Sequence, residues 1–167
     1  MSAQDLSSPN LAIARIKVLC AGIAGLILMV GIARFAYTPM LPIMQQQAGL
    51  GIAQGGWLAA FNYAGYFCGA LIAANISDLK TKDALYRLGL CVAILTTLGL
   101  AMTQNFWIWS VLRFFAGLSS AAGLLLGLGL VMHWLLRHQM RSELGIHFIG
   151  MGAGIFLSAL FVYLIDE

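Results

Sequence analysis

Two arginines stand inside long apolar stretches of this sequence, where a charged side chain is unfavourable. Arg34 lies 17 residues after Lys17, on the order of 25 Å along a helix, and Arg113 lies six residues after Trp107. Within a membrane-spanning helix an arginine costs about 2.5–3.5 kcal/mol, so it normally faces a bundle interior or an aqueous cavity. The pair therefore predicts a polar pathway for a small solute, and guanidinium groups favour an anionic one. The alternative for each arginine is a side chain that extends to the lipid headgroups.

Three other polar residues are candidates for the same pathway. Tyr37 follows the first arginine, and Asn62 and Tyr63 place polar groups inside the next apolar stretch. Asn62 has an alternative, which is a hydrogen bond to a neighbouring helix. Pro39 and Pro42 remove backbone donors and predict a helix break, a feature that recurs where transporters bind substrate. A helix that simply ends at Pro42 is the alternative.

No enzyme or metal signature occurs in the sequence. His133, His138 and His147 are separated by five and nine residues, which does not place two imidazoles on one helix face. They are better explained as interfacial polar residues. There is no nucleophile elbow, Ser-x-x-Lys, HExxH or phosphate-loop motif. We therefore expect no catalytic residue, no metal site and no cofactor.

The composition predicts that membrane helices position these residues. Of 167 residues, 61 % are hydrophobic and 9 % are charged, so the lipid bilayer is the expected partner. A net charge of +3 without a basic stripe excludes nucleic acid. At about 20 residues per crossing, five spans are predicted. Their ranges are 18–44, 55–76, 86–104, 107–134 and 144–164.

Charge in the loops predicts the orientation of the spans. Apart from the two arginines inside spans, every Lys and Arg falls on one side of the predicted membrane: Arg15, Lys17, Lys80, Lys82, Arg87, Arg137 and Arg141. By the positive-inside rule this side is cytoplasmic. Residues 1–17 are then a cytoplasmic N-terminal segment.

Glycine spacing predicts close helix packing. The chain has 19 glycines, and three small-xxx-small pairs stand out: Gly65/Gly69, Gly123/Gly127 and Gly150/Gly154. Such faces also suggest a second function from another class, a non-transporting multi-pass membrane protein that docks on a partner through them.

Three segments resemble a known family. They are GIARFAYTPMLP (residues 31–42), GWLAAFNYAGY (56–66) and RFFAGLS (113–119). With them the chain resembles the N-terminal half of a major facilitator superfamily transporter of the YbfB/YjiJ-type branch. The resemblance implies an all-α membrane bundle, secondary active transport of a small solute, the bacterial inner membrane as its location, and Arg113 as the proton-coupling residue.

The resemblance is incomplete in the loop after the second span. Carriers of this family have a Gly-x-x-x-Asp motif there, followed by basic residues, which latches their two halves together. Only Asp78 and Lys82 match, because Ala74, Leu79 and Thr81 stand at the other motif positions. The resemblance implies twelve spans in two halves, so five spans are expected to be a fragment, a truncated reading frame, or a half that needs a C-terminal half or a second chain.

Overall fold

Long helices make up most of the chain. The computed structural model describes residues 9–141 and 144–166, and these ranges contain helices and no strand. Five helices are long and apolar enough to cross a membrane, which confirms the predicted number and the all-α membrane fold class. Numbered in chain order, spans 1 to 5 are Asn10–Ala48, Ile52–Ala74, Leu79–Ala101, Phe106–Arg137 and Leu144–Leu164.

Span 1 belongs to a helix that is longer than the predicted crossing. The helix starts at Pro9, whose fixed φ suits a first helical turn, and it continues to Ala48. Residues 9–17 of the predicted N-terminal segment are therefore part of this helix, and residues 1–8 lie outside the described ranges. Gly49 ends the helix in a left-handed conformation with φ of 65°, which glycine adopts without strain.

Side-chain caps set the starts of spans 3 and 4. Span 3 begins at Leu79, before its predicted start, because Asp78 accepts hydrogen bonds of 2.9 Å from the backbone N–H and the hydroxyl of Thr81. Asn105 caps span 4 in the same way and accepts a 2.9 Å bond from the Trp107 N–H. Each cap satisfies backbone donors that a helix start leaves without an internal partner.

Spans 1 and 4 form the centre of the bundle. In their most apolar stretches 44 % of span 1 and 56 % of span 4 is buried, against 22 % or less in the other spans. Both contain a π-helical stretch, Ile27–Phe35 in span 1 and Ala122–Leu126 in span 4. Such widened turns frequently occur at functional sites.

Glycines allow the helices to approach closely. Gly65 faces the backbone of span 4, Gly117 faces the carbonyl of Asn62, and Gly31 lies against Gly154 between spans 1 and 5. A side chain at any of these positions would overlap the neighbouring backbone. Every glycine of the three predicted pairs faces another helix of this chain, which confirms the predicted packing: Gly65, Gly69, Gly123, Gly127, Gly150 and Gly154.

The two ends of the bundle differ in charge. The loops 49–51 and 102–105 contain no Lys or Arg, and we call their end the neutral end. Apart from Arg34 and Arg113, the basic residues lie toward the opposite end, which we call the basic end. The outward faces of the spans are apolar and exposed, as at Leu71, Leu95 and Phe161. These faces suit contact with lipid.

Candidate functional site

The five predicted pathway residues surround one small cavity. Spans 1, 2 and 4 form its walls, and its volume is about 60 Å³. Both arginines lie in the half of their span that is nearer the neutral end. We call this space the arginine cavity, and its lining residues are Arg34, Phe35, Tyr37, Thr38, Ala59, Asn62, Tyr63 and Arg113.

Arg113 joins span 4 to the backbone of span 1. The residue is 3 % exposed, and its Nη1 donates to the carbonyl oxygens of Arg34 at 3.2 Å and Ala33 at 3.4 Å. Both carbonyls lie at the C-terminal end of the π-helical stretch, just before the α-helix Tyr37–Ala48 begins. Pro39, five residues after Arg34, has no N–H to donate. Arg113 therefore bonds to span 1 where its backbone is irregular.

Tyr37 packs under this arginine and connects a third helix. The Cζ of Arg113 lies 4.2 Å from the centroid of the Tyr37 ring, within the range of a cation–π contact. The Tyr37 hydroxyl donates to the carbonyl of Gly55 at 2.8 Å. One side chain of span 1 thus contacts both span 4 and span 2.

Asn62 lines the cavity and also bonds to a neighbouring helix. It is 2 % exposed, and its Nδ2 donates to the Arg113 carbonyl at 2.9 Å. The close contact at Gly117 brings the two backbones near enough for this bond. Asn62 therefore both lines the cavity and bonds to a neighbouring helix, which were the two alternatives for it.

Arg34 is held by aromatic rings alone. Its Cζ lies 4.1 Å from the centroid of Tyr66, 5.2 Å from that of Tyr63 and 5.4 Å from that of Phe35. Within residues 9–141 and 144–166 its guanidinium makes no hydrogen bond or ion pair. Tyr66 was not among the predicted pathway residues, although it follows Asn62 by four residues and so shares its helix face.

No carboxylate of the described residues contacts either arginine. The Nε of Arg34 and the Nε of Arg113 are buried and have no hydrogen-bond partner there. Spans 1, 2 and 4 contain no acidic residue, because all six lie elsewhere: Asp5, Asp78, Asp83, Glu143, Asp166 and Glu167. A buried cation without a counter-charge is strongly unfavourable. The arginine cavity therefore has the charge and the donors to receive an anion.

A comparison with protein families decides the class of this bundle. The family model described as "Uncharacterised MFS-type transporter YbfB" matches residues 26–167. The chain belongs to this family of major facilitator superfamily transporters. Its members are transporters rather than enzymes, so the chain is a multi-pass membrane protein of a transporter family.

A curated relative of this YbfB-type chain is the "Uncharacterized MFS-type transporter YceJ" of Bacillus subtilis (strain 168). The two are 30 % identical over 93 residues, which is 56 % of this chain and 24 % of YceJ. The match thus spans about a quarter of the length of this relative. No solved structure matches the chain.

The loop motif of the YbfB-type chain has a local structural explanation. Asp78 caps span 3, and its carbonyl accepts a 3.0 Å bond from the backbone N–H of Lys82. The pKa of the Asp78 carboxyl is lowered from its ordinary 3.8, chiefly because the backbone N–H of Thr81 donates to it. The latch role that the resemblance implied for these two residues stays a prediction.

The prolines of span 1 do not end the helix. Pro42 lies inside the α-helix Tyr37–Ala48, and the irregular hydrogen bonding lies before Pro39, in the π-helical stretch and at the turn of Ala36. The physical reason is that a proline removes the donor for a carbonyl four or five residues earlier. The disturbance therefore falls on the N-terminal side of the prolines rather than at them.

A second, larger cavity lies near the basic end. It has a volume of about 400 Å³, and spans 1, 3 and 4 form its mostly apolar wall. Its polar lining residues are Asp83, Tyr86 and His133. Asp83 is paired with Arg87, one helical turn away, at 2.9 Å. We call this space the basic-end cavity.

One of the three histidines, His147, is buried rather than interfacial as predicted. His147 is 1 % exposed and packs against Gly22, because span 5 approaches span 1 closely here. Neither of its ring nitrogens has a hydrogen-bond partner among the described residues. Nδ1 of His138 lies 2.8 Å from the Trp134 carbonyl oxygen. The described ranges hold no group of three His, Cys, Asp or Glu residues that could bind a metal.

Proposed function

We propose that this chain forms part of the solute pathway of a secondary active transporter, and that the arginine cavity is a segment of that pathway. One observation carries the proposal. Five polar residues from three different spans surround a single cavity. Polar groups are unfavourable in lipid, so their grouping at one place calls for a function. Membership of a transporter family supports the same conclusion.

The hydrogen bonds of Arg113 suggest how the cavity takes part in transport. Secondary transporters of this type move substrate by rocking two bundles about a site near the membrane midplane. The donors of Arg113 lie between the cavity and the carbonyls of Ala33 and Arg34. A change of charge in the cavity therefore alters a contact between spans 1 and 4. Together with the family resemblance at residues 113–119, this contact leads us to propose Arg113 as the coupling residue, acting through its bond to span 1 rather than by carrying a proton itself.

The proposed orientation follows from the basic end. Apart from Arg34 and Arg113, all seven basic residues lie toward that end, and none lies in the two loops at the neutral end. By the positive-inside rule we place the basic end and the N-terminus in the cytoplasm, and the protein in the inner membrane of a bacterium.

Transport by rocking needs two halves. We therefore propose that further helices act together with these five spans, either from a C-terminal half or from a second chain. The arginine cavity would then be closed on its open side by those helices.

Docking through glycine faces, the second candidate function, has less support. The glycines of all three predicted pairs already face helices of this chain. The same faces do not remain available to a partner.

The test is uptake of labelled small solutes into membrane vesicles from cells that carry the native gene, compared with a deletion strain. The panel contains organic acids, amino acids and sugars. We expect Arg34→Ala and Arg113→Ala each to lower uptake at least about tenfold, because a hydrogen bond to a charged group contributes about 1.5–3 kcal/mol. Arg137→Ala, at an exposed arginine of the basic end, is the matched control and should keep full uptake. Equal uptake by native and Arg34→Ala vesicles would contradict the assignment.

A further inference from the structure

The arginine cavity has an unbalanced charge. Two guanidinium groups line it, and the acidic residues of the chain all lie outside the three spans that form it. An arginine cannot lose its proton under ordinary conditions, so the charge cannot be removed by neutralisation. An anion that enters from outside is the simplest way to balance it.

The two arginines are not equivalent as binding groups. Arg113 uses Nη1 for two carbonyl oxygens of span 1 and stacks on Tyr37. Arg34 donates to no described residue, and its guanidinium makes cation–π contacts with aromatic rings instead. These contacts use no oxygen acceptor, so they leave hydrogen bonds of the guanidinium to be made. Arg34 therefore has the larger number of available donors.

The size of the cavity suits a small polar group. Its volume is about 60 Å³, and a cavity needs about 10–15 Å³ to hold one water molecule, so there is room for the two oxygens of a carboxylate. Carboxylates also suit the forked donors of arginine.

We propose that the arginine cavity binds the carboxylate group of a small monocarboxylate, with Arg34 as its principal donor. Arg113 is a positioning residue that keeps spans 1 and 4 together beside it. Binding of the carboxylate does not depend on the proposed function. Only the further step, that this anion is the transported solute, rests on it.

The test is thermal unfolding of the purified chain in detergent, followed by tryptophan fluorescence, with propionate as the probe. Propionamide is its neutral isostere, and sodium chloride keeps ionic strength equal. Propionate should raise the unfolding midpoint saturably, by about 3 °C at ten times its Kd. Propionamide should not raise it. An equal rise with both probes overturns the proposal, and so does a rise with inorganic phosphate alone.

Variants connect the effect to Arg34. Arg34→Gln should abolish the propionate shift, Arg34→Lys should retain part of it, and Arg137→Gln should retain all of it. The unliganded midpoint of each variant shows whether it is folded, so a lost shift in a folded Arg34→Gln chain is interpretable. A full shift in Arg34→Gln means that propionate binds elsewhere and overturns the proposal.

Uptake of labelled propionate into the native vesicles separates this inference from the proposed function. Arg34-dependent binding without any uptake supports the carboxylate site and contradicts the transport proposal. Arg34-dependent uptake of a neutral solute, with no propionate shift, overturns the carboxylate site and leaves the transport proposal intact.

Discussion

The arginine cavity and the basic-end cavity accommodate polar groups in two different ways. In the basic-end cavity the charged group Asp83 already has a partner, since Arg87 lies 2.9 Å away on an exposed helix face. In the arginine cavity the buried Arg113 and the half-buried Arg34 have no counter-charge among the described residues. The smaller cavity is therefore the one with an unbalanced charge.

The side chains without a hydrogen-bond partner near the two cavities also differ in whether they can become neutral. His147, behind the basic-end cavity, is buried without a hydrogen-bond partner in the described ranges, but an imidazole is readily neutral near pH 7. Arg34 and Arg113 do not have this option. An unpartnered side chain thus indicates a binding site here only where its charge is permanent.

The largest expected effect comes from separating the helices that form the arginine cavity. Gly117→Leu should lower the free energy of unfolding by about 3 kcal/mol or more, because the new side chain overlaps the backbone at Asn62. Gly129→Leu is the matched control in the same span, since no atom lies within 4 Å of a Cβ there. Chemical unfolding in detergent measures both. Similar losses in the two variants would show that the span 2 to span 4 contact is not specific.

A smaller effect is expected from the hydrogen bond across that contact. Asn62→Leu removes the bond to the Arg113 carbonyl and should lower the free energy of unfolding by about 1 kcal/mol. The control is Thr97→Val, because the Thr97 hydroxyl bonds only within its own helix, to Ala93. Denaturant titration of both variants checks the order, and a larger loss in Thr97→Val contradicts it.

The basic-end ion pair should matter less. Asp83→Asn removes an exposed pair one helical turn apart, and the expected loss of unfolding free energy is about 0.3 kcal/mol. In 1 M salt the loss should disappear, since exposed charges are screened. A loss that persists in high salt would mean that Asp83 has a role beyond this pair.

The smallest effect is the acid response of the span 3 cap. The pKa of Asp78 is lowered below 3.8 in the folded chain, mainly by the Thr81 N–H. Its stabilisation is therefore present above about pH 3.8 and is lost as the pH falls through the lower, folded value. Unfolding midpoints measured on both sides of this pH should fall less steeply for Asp78→Asn, whose cap does not titrate. Identical profiles would contradict the cap.

Much of the architecture could be predicted because the unfavourable energy of charge in lipid is visible in a sequence. Arg34 and Arg113 were identified on that basis alone, and the apolar stretches predicted the five spans. Helix length was less predictable, since the hydrogen bonds of Asp78 extend span 3 beyond its apolar stretch.

The contacts inside the arginine cavity could not be predicted from residue types. The bond from Arg113 to span 1 depends on the wider turns of Ile27–Phe35, and the prolines affect carbonyls before them rather than at them. Tyr66 was not among the predicted pathway residues because an aromatic residue is ordinary in an apolar helix. The burial of His147 depends on how closely span 5 approaches Gly22, which no local pattern specifies.

The central proposal is that the arginine cavity is a segment of the solute pathway. Its wall should then be accessible to water, and thiol accessibility tests this most directly. In a chain whose three native cysteines are replaced by alanine, Ala59→Cys places a thiol in the cavity wall and Leu95→Cys places one on an apolar outer face. The two sites lie at matched depths, about 10 Å and about 9 Å from the neutral ends of their spans. We predict that a charged, membrane-impermeant thiol reagent modifies Ala59→Cys in native vesicles and leaves Leu95→Cys unmodified, as mass spectrometry would show. An Ala59→Cys thiol as inert as the one at Leu95→Cys would contradict the account.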